Sequence, residues 1–368
     1  MKKVLYITTV SRTINAFLVP HIERLLDEGY EVDVATYIDK PIDEKLINRN
    51  IKVFSIPFDR NPLHLGNVRA FGRLLKIQKK EQYDIVHVHT PVASLFGRLL
   101  KLFYPKLKTI YTAHGYHFLK GGSKIGWLVY YPIEKVMAKF TDVTITINQE
   151  DYDITINNLK PKKTYLMHGV GLDLSQYKIL PEEDNLKKRR ELGLSEDDFV
   201  IIMIAELNEN KNHIQLIRAM EILKEKYINI KVLCVGEGMK YSELIQEIEN
   251  RMLNNQIYFL GFRNDITELI NISNIGVLLS YREGLPRNLM EIMACGRKMI
   301  ASDVRGCRDI IVDHTVGMLV SVGDYEGLAA AIEQLYMNQG RISCTEHLKS
   351  YQLESILGDL KFVYKKET

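Results

Sequence analysis

Short apolar runs rich in Val, Ile and Tyr alternate with amphipathic stretches along nearly the whole chain. In the first half they stand at 3–9 (KVLYITT), 31–37 (EVDVATY), 52–58 (KVFSIPF), 84–90 (DIVHVHT), 108–115 (KTIYTAHG), 142–148 (DVTITIN) and 162–169 (KKTYLMHG). Between them lie segments with helical period, among them 17–29 (FLVPHIERLLDEG), 67–80 and 94–103. Runs apolar on both faces belong to parallel sheets covered by helices. A second series follows at 199–207 (FVIIMIAEL), 231–238, 257–262, 275–280, 298–303 and 317–320, with helices from about 211 and about 240. Residues 170–198 carry no strand pattern and a dense mixture of charges, and read as a linker and domain boundary. The reading is α/β, with two Rossmann-like domains in tandem and an active site expected in the cleft between them, near the carboxyl ends of the strands.

Composition changes little in this picture. With 368 residues, 46% hydrophobic and 26% charged, the chain is long enough for two cores and is not disordered. The basic start MKK resembles a signal peptide, but Thr8, Thr9 and Ser11 interrupt its apolar core, so it reads as a strand. The longest strongly apolar stretches, 125–133 and 199–205, fall short of the roughly 20 residues a spanning helix needs. Cys234, Cys295, Cys307 and Cys344 show no Cys-x-x-Cys spacing, which points to a reducing cytoplasm. Residues 1–180 carry 26 basic and 17 acidic side chains, so the first half is expected to prefer anionic partners.

The stretch SYREGLPRNLMEIMACG, 280–296, concentrates the candidate chemistry. Pro286 suits the first turn of a helix, and the amides of Gly284 and Leu285, with that helix N-terminus, would face an anion. Glu283 and Glu291 flank the turn, and a carboxylate accepts two hydroxyl hydrogen bonds from a diol such as ribose or hexose. Spacing alone equally allows two solvated acids at a helix start.

This stretch, with MIASDVRGCRDII and VGMLV after it, resembles the family 4 glycosyltransferases, retaining enzymes of the GT-B fold. DIVHVHTP, YTAHGYHF, YYPIEKVMAKFTDVTITINQEDY, HGVGLDL and AELNENKNH extend the resemblance over nearly the whole chain, toward the bacterial capsule and exopolysaccharide branch. It implies an acceptor-binding domain at 1–170, a donor-binding domain at 171–345, and a terminal helix, 346–368, crossing back to the first. It also implies that Glu291 holds the ribose, that Glu283 lies against the donor sugar, and that the Gly284 and Leu285 amides face the diphosphate. Lys211 matches the lysine that neutralises the departing diphosphate, and His114 the histidine beside the reacting sugar. The loop with Arg263 and Asn264 resembles the one whose backbone holds the base. The first loop lacks the usual Gly-Gly pair, yet offers Ser11, Arg12 and Thr13 to an acceptor diphosphate.

One departure stands out. Where the family usually has Gly-Arg-Leu this chain reads Ala205-Glu206-Leu207, and Glu206 cannot take over an arginine's phosphate contact. Either Lys211 works with another cation, Arg12 or Arg287, or the amides carry more of the charge. Within the exopolysaccharide branch this glutamate is usual and does not imply loss of activity. His87 and His89 share one strand face, a spacing that could suit a metal, but no carboxylate or cysteine completes a set. The Asp-x-Asp at 151–153 falls at a helix start, and the resemblance implies a metal-independent enzyme without cofactor. The expected reaction is transfer of a hexose or N-acetylhexosamine from a UDP-sugar to a polyprenyl-diphosphate-linked saccharide. Fifteen basic and six acidic residues between 51 and 150, mixed with Phe71, Phe96, Phe103, Tyr104, Phe118, Trp127, Tyr130 and Tyr131, suggest a peripheral seat on the cytoplasmic face of the membrane. No nucleic-acid motif is present. A UDP-sugar 2-epimerase of the same architecture and a non-catalytic nucleotide-sugar-binding protein are the alternatives.

Overall fold

The computed structural model describes residues 1–59, 61, 64–122, 124–342 and 345–368; Cys344 lies outside them. These residues form two compact units, one made of 1–171 with 353–368, the other of 172–352.

The first unit is built on an all-parallel sheet of seven strands, in the order β3-β2-β1-β4-β5-β6-β7. Its strands are β1 (Lys3–Val10), β2 (Glu31–Tyr37), β3 (Val53–Ser55), β4 (Ile85–His89), β5 (Lys108–Ala113), β6 (Val143–Thr146) and β7 (Lys163–Leu166). Alternation along β1 explains the two cores: Val4 and Tyr6 join a cluster on one face, Leu5 and Ile7 a cluster on the other. The first of these clusters includes Ile22 from the helix Val19–Asp27, and Ile356, Leu360, Val363 and Tyr364 from the terminal helix Leu353–Glu367.

The second unit repeats the plan with six parallel strands, β8 (Phe199–Ile204), β9 (Ile230–Val235), β10 (Ile257–Phe259), β11 (Ile275–Leu278), β12 (Lys298–Ser302) and β13 (Gly317–Val320), ordered β10-β9-β8-β11-β12-β13. Both orders reverse direction once, between β1 and β4 and between β8 and β11. Ligands of open α/β sheets bind beside the carboxyl ends of the strands at such switch points.

Three expectations are revised. The proposed linker is folded: residues 182–191 form a helix of the second unit, and Arg189 fastens it by donating to the carbonyl of Ile272 (2.7 Å). The single terminal helix is two: Thr345–Lys349 belongs to the second unit, and Leu353–Glu367 to the first. Finally, the first loop is helical from Ser11, directly after β1.

Candidate active site

In the second unit the chain leaves β8, and the Asn208 side chain caps a short 3-10 turn by accepting from the Lys211 amide (3.1 Å). Asn212 then takes a left-handed conformation, φ 54°, before the helix His213–Leu223. The turn is stitched to the segment after β11: the Tyr281 amide donates to the Asn210 carbonyl (2.8 Å), and Asn210 Nδ2 donates to the Arg282 carbonyl (3.1 Å). This stitching brings Lys211 Nζ within 2.5 Å of Glu283 Oε1. Both side chains are largely buried, which strengthens a pair that would be weak in open water.

Pro286 stands as the N-cap of the helix Arg287–Ala294, extended at φ −75° and ψ 111°, one position earlier than the first helical turn that the sequence suggests. The amides of Gly284 and Leu285 make no hydrogen bond among the described residues. The turn behind them is tight: Arg305 Nε donates to the Glu283 carbonyl (2.8 Å), and Gly306, at φ 75°, lies so close that a Cβ there would be 2.2 Å from the Gly284 oxygen.

Glu291, on the second turn of that helix, accepts from the Tyr177 hydroxyl (2.7 Å) and from Arg287 Nε (3.0 Å), both at Oε1. Burial and then the contact with Glu291 push the Tyr177 phenol up to about 12, so it stays a donor. Each glutamate thus spends Oε1 on these contacts, and no hydrogen bond to its Oε2 occurs among the described residues. Tyr177 lies in the charge-rich 170–198 segment, which has no strand or motif pattern to single it out. Arg263 is held by Asp265 through Nε (2.8 Å) and Nη2 (2.5 Å), and Asn264 is exposed beside it.

In the first unit, Ser11 is buried, its hydroxyl held by Asp39 (2.9 Å) and the Lys40 carbonyl (2.6 Å), and Arg12 is paired with the same Asp39. Burial of Asp39 works against ionisation, but hydrogen bonds from Arg12 and Ser11 prevail and hold it at about 2. The Ser11 hydroxyl is thus spent within the protein. Thr13, in the same turn, is half-buried. His114 follows β5 and contacts His89 on β4, Nε2 to Nδ1 at 3.0 Å. Burial, with His21 nearby, lowers His114 to about 4, so it is neutral at pH 7.

His87 engages Tyr364 through Nδ1 (2.9 Å) and Thr112 through Nε2 (2.8 Å), which leaves neither nitrogen for a metal. No group of three or more His, Cys, Asp or Glu that could hold a metal occurs among the described residues. Asp151 and Asp153 lie in the helix Gln149–Ile154, where the Asp151 amide donates to the Asn148 cap (2.8 Å).

A pocket of about 340 Å³ opens at the carboxyl ends of β1 and β4, with Thr9, Thr90, Leu95, Tyr130, Ile133 and Glu134 in its wall. The buried Arg98 neutralises Glu134 through two hydrogen bonds (2.7 and 3.0 Å). Most of the aromatics of residues 51–150 pack inward: Phe118, Trp127 and Tyr131 contact one another, as do Phe71 and Phe96. The exposed apolar side chains here include Phe103 and the aliphatic Ile125, Leu128, Val129 and Val136. No helix among the described residues is long and apolar enough to cross a membrane.

Residues 3–164 match the family model described as glycosyl transferase 4-like, and residues 184–351 match that of glycosyl transferases group 1. The Bacillus subtilis protein EpsD, described as a glycosyltransferase, is 38% identical over 341 residues, covering 91% of this chain and 87% of EpsD. The chain belongs to this glycosyltransferase family. An Escherichia coli UDP-Gal:alpha-D-GlcNAc-diphosphoundecaprenol alpha-1,3-galactosyltransferase is 27% identical, covering 84% of this chain and 81% of its own. Among solved structures, Anabaena HepE in complex with UDP aligns over both whole chains with TM-score 0.78 at 21% identity, and a Thermosynechococcus elongatus sucrose-phosphate synthase covers 100% of this glycosyltransferase and 99% of its own chain with TM-score 0.82 at 17%. The fold is GT-B.

Proposed function

We propose that this glycosyltransferase moves a hexose or N-acetylhexosamine from a UDP-sugar to a saccharide carried on a polyprenyl diphosphate, with retention at the anomeric carbon, in cell-surface polysaccharide synthesis. The observation that carries the reading is the second unit's constellation: Lys211 on Glu283, unbonded amides at 284 and 285, and Glu291 with no hydrogen bond to its Oε2 among the described residues. Glu291 would accept from the ribose hydroxyls. The two amides and Lys211 Nζ would take up the charge of the diphosphate, and Glu283 would bond the sugar. The Escherichia coli relative and a Campylobacter jejuni relative at 26% identity both carry a diphospho-undecaprenol acceptor in their names, which supports the lipid-linked class.

In the proposed step the bond from C1 to the β-phosphate oxygen breaks, and its electron pair leaves with UDP. The acceptor oxygen bonds C1 from the same face, and its proton passes to the departing phosphate. Stabilising charge on that leaving group is the main catalytic task, and preorganised donors suit it without a metal ion in the scheme. No carboxylate is required as a nucleophile, unlike in a retaining glycosidase. Exposed Ile125, Leu128, Val129 and Val136 support a peripheral seat on the cytoplasmic membrane face, in place of the aromatics that pack inward.

The test is a thermal-shift panel of UDP, GDP, ADP and UDP-sugars on wild type and Glu291→Ala. Stabilisation by uridine compounds that disappears in the variant is expected. Folded protein that responds to no nucleotide would sink the reading, and UDP release independent of acceptor would favour an epimerase.

A further inference from the structure

Behind His114 stands a packed set of aromatic rings. His87 and His89, two apart on β4, point to one face. Tyr6 of the neighbouring β1 lies against both, 4.7 Å from the His87 ring and stacked on His89 at 5.3 Å and 23°. The His87 and His89 centroids are 4.3 Å apart. Wedged between Tyr6 and His87, the His89 ring cannot turn to find other partners, and it is 1% exposed.

His89 makes one hydrogen bond, from Nδ1 to His114 Nε2 at 3.0 Å; its Nε2 is buried and has no partner among the described residues. A single proton lies between the two rings, and it can belong to either. Burial drives both imidazoles toward the neutral form, so each ring carries one proton. Were the shared proton that of His114, the His89 proton would sit on Nε2, an N–H buried without an acceptor. Orphaned N–H groups are the rarer defect in protein interiors, and an underused acceptor is the more common one. With the shared proton on His89, its Nε2 is a bare lone pair, and the proton of His114 must be on Nδ1. The hydrogen bond on one imidazole nitrogen thus fixes the state of the other.

We infer that His89 is a positioning residue that sets the tautomer of His114, so that His114 offers an N–H from Nδ1 to an oxygen of the bound sugar. The sugar contact rests on the function proposed above; the tautomer does not. An imidazole held this way donates and cannot accept a proton at its open nitrogen. His114 then orients a hydroxyl, and the acceptor's proton goes to the departing diphosphate.

The experiment is a nitrogen-15 correlation spectrum of the histidine side chains in the full chain near neutral pH, assigned with His114→Gln and His89→Asn. His114 protonated at Nδ1 and bare at Nε2 is the expected result; protonation at Nε2 overturns the inference. Turnover gives the second readout. Asn at 89 can place an amide N–H where Nδ1–H stands, so His89→Asn should keep kcat within about threefold, whereas His89→Leu should lose about tenfold or more in kcat with little change in KM. Equal kcat in the two folded variants would remove the positioning role. Absence of any transfer activity in wild type, beside the expected spectrum, would fault the proposed function alone.

Discussion

Substituting Gly306 by alanine tests whether the Glu283–Leu285 turn is a built part of the donor site. The added methyl would sit 2.2 Å from the Gly284 oxygen and 3.1 Å from the Leu285 Cα, where real contacts stay beyond 3.0 Å. The turn has to retreat by about 0.8 Å, and a misplacement of about 1 Å near the reacting groups costs about 10²-fold in rate. Gly306 also has φ 75° with ψ −43°, outside the left-handed helical basin, so an L-residue adds at least the roughly 1–2 kcal/mol which that basin costs. Gly323→Ala separates the two effects, because Gly323 has φ 82° and nothing within 4 Å of its missing Cβ. Both variants should lose stability from the positive φ. Only Gly306→Ala should lose about 10²-fold in kcat/KM, measured as acceptor-dependent UDP release, with weaker UDP binding by calorimetry. If Gly306→Ala turned over within threefold of Gly323→Ala, the turn would not be positioning the donor.

Three further outcomes follow from the same geometry. Tyr177→Phe removes one donor from Glu291, and should weaken UDP by about 1 kcal/mol, roughly fivefold in Kd by calorimetry; unchanged affinity would detach Tyr177 from the site. His213 is buried with neither ring nitrogen partnered among the described residues, and burial, with Lys211 nearby, lowers it from 6.5 to about 4. The unfolded chain therefore binds the extra proton between those values. The stabilisation is complete above about pH 6.5 and lost as pH falls toward 4, about 3 kcal/mol in all, and urea melts of His213→Leu should show a flatter acid limb than wild type. Ile125→Asp with Leu128→Asp should cut sedimentation with anionic vesicles by at least about tenfold if these side chains enter the membrane; equal sedimentation would exclude them.

The alternation of strands and helices was legible because parallel strands buried on both faces leave continuous apolar runs, and the switch points follow from strand order. The positions of Glu283, Glu291 and Lys211 in the fold were legible because each sits just past a strand or in the first turns of a helix, where sequence distance maps simply onto space. Partners were not. Tyr177 is 114 residues from Glu291, and Asp39 disposes of both Ser11 and Arg12 from 28 and 27 residues away. Asp265 captures Arg263 from two positions on, a pairing that sequence permits but does not compel. The aromatics between 51 and 150 show a related ambiguity: their residue types fit a membrane surface and a helix-covered core equally, and packing places most of them, Phe103 excepted, against the core.

The replacement of the usual arginine by Glu206 raises the question of where the leaving group's charge goes. Glu206 is exposed, Arg287 is held by Glu291, and Arg12 is held by Asp39. Of the cations considered, Lys211 is the one placed beside Glu283, and that contact engages one of the three donors of its ammonium. Two N–H groups stay available to phosphate oxygens, with the amides at 284 and 285 as the other donors. Removing the ammonium in Lys211→Met should cost about 10²–10³ in kcat, the scale of one lost preorganised donor to developing charge. A double-mutant cycle with Glu283→Gln then assigns the carboxylate. If Glu283 acts chiefly by aiming Lys211, the double variant should be little worse than Lys211→Met, because the interaction is already gone. If Glu283 bonds the sugar independently, the two losses should add. Additivity, together with a raised KM for UDP-sugar in Glu283→Gln alone, is the outcome the proposed donor pose requires, and a fully non-additive cycle would reassign Glu283 to positioning Lys211.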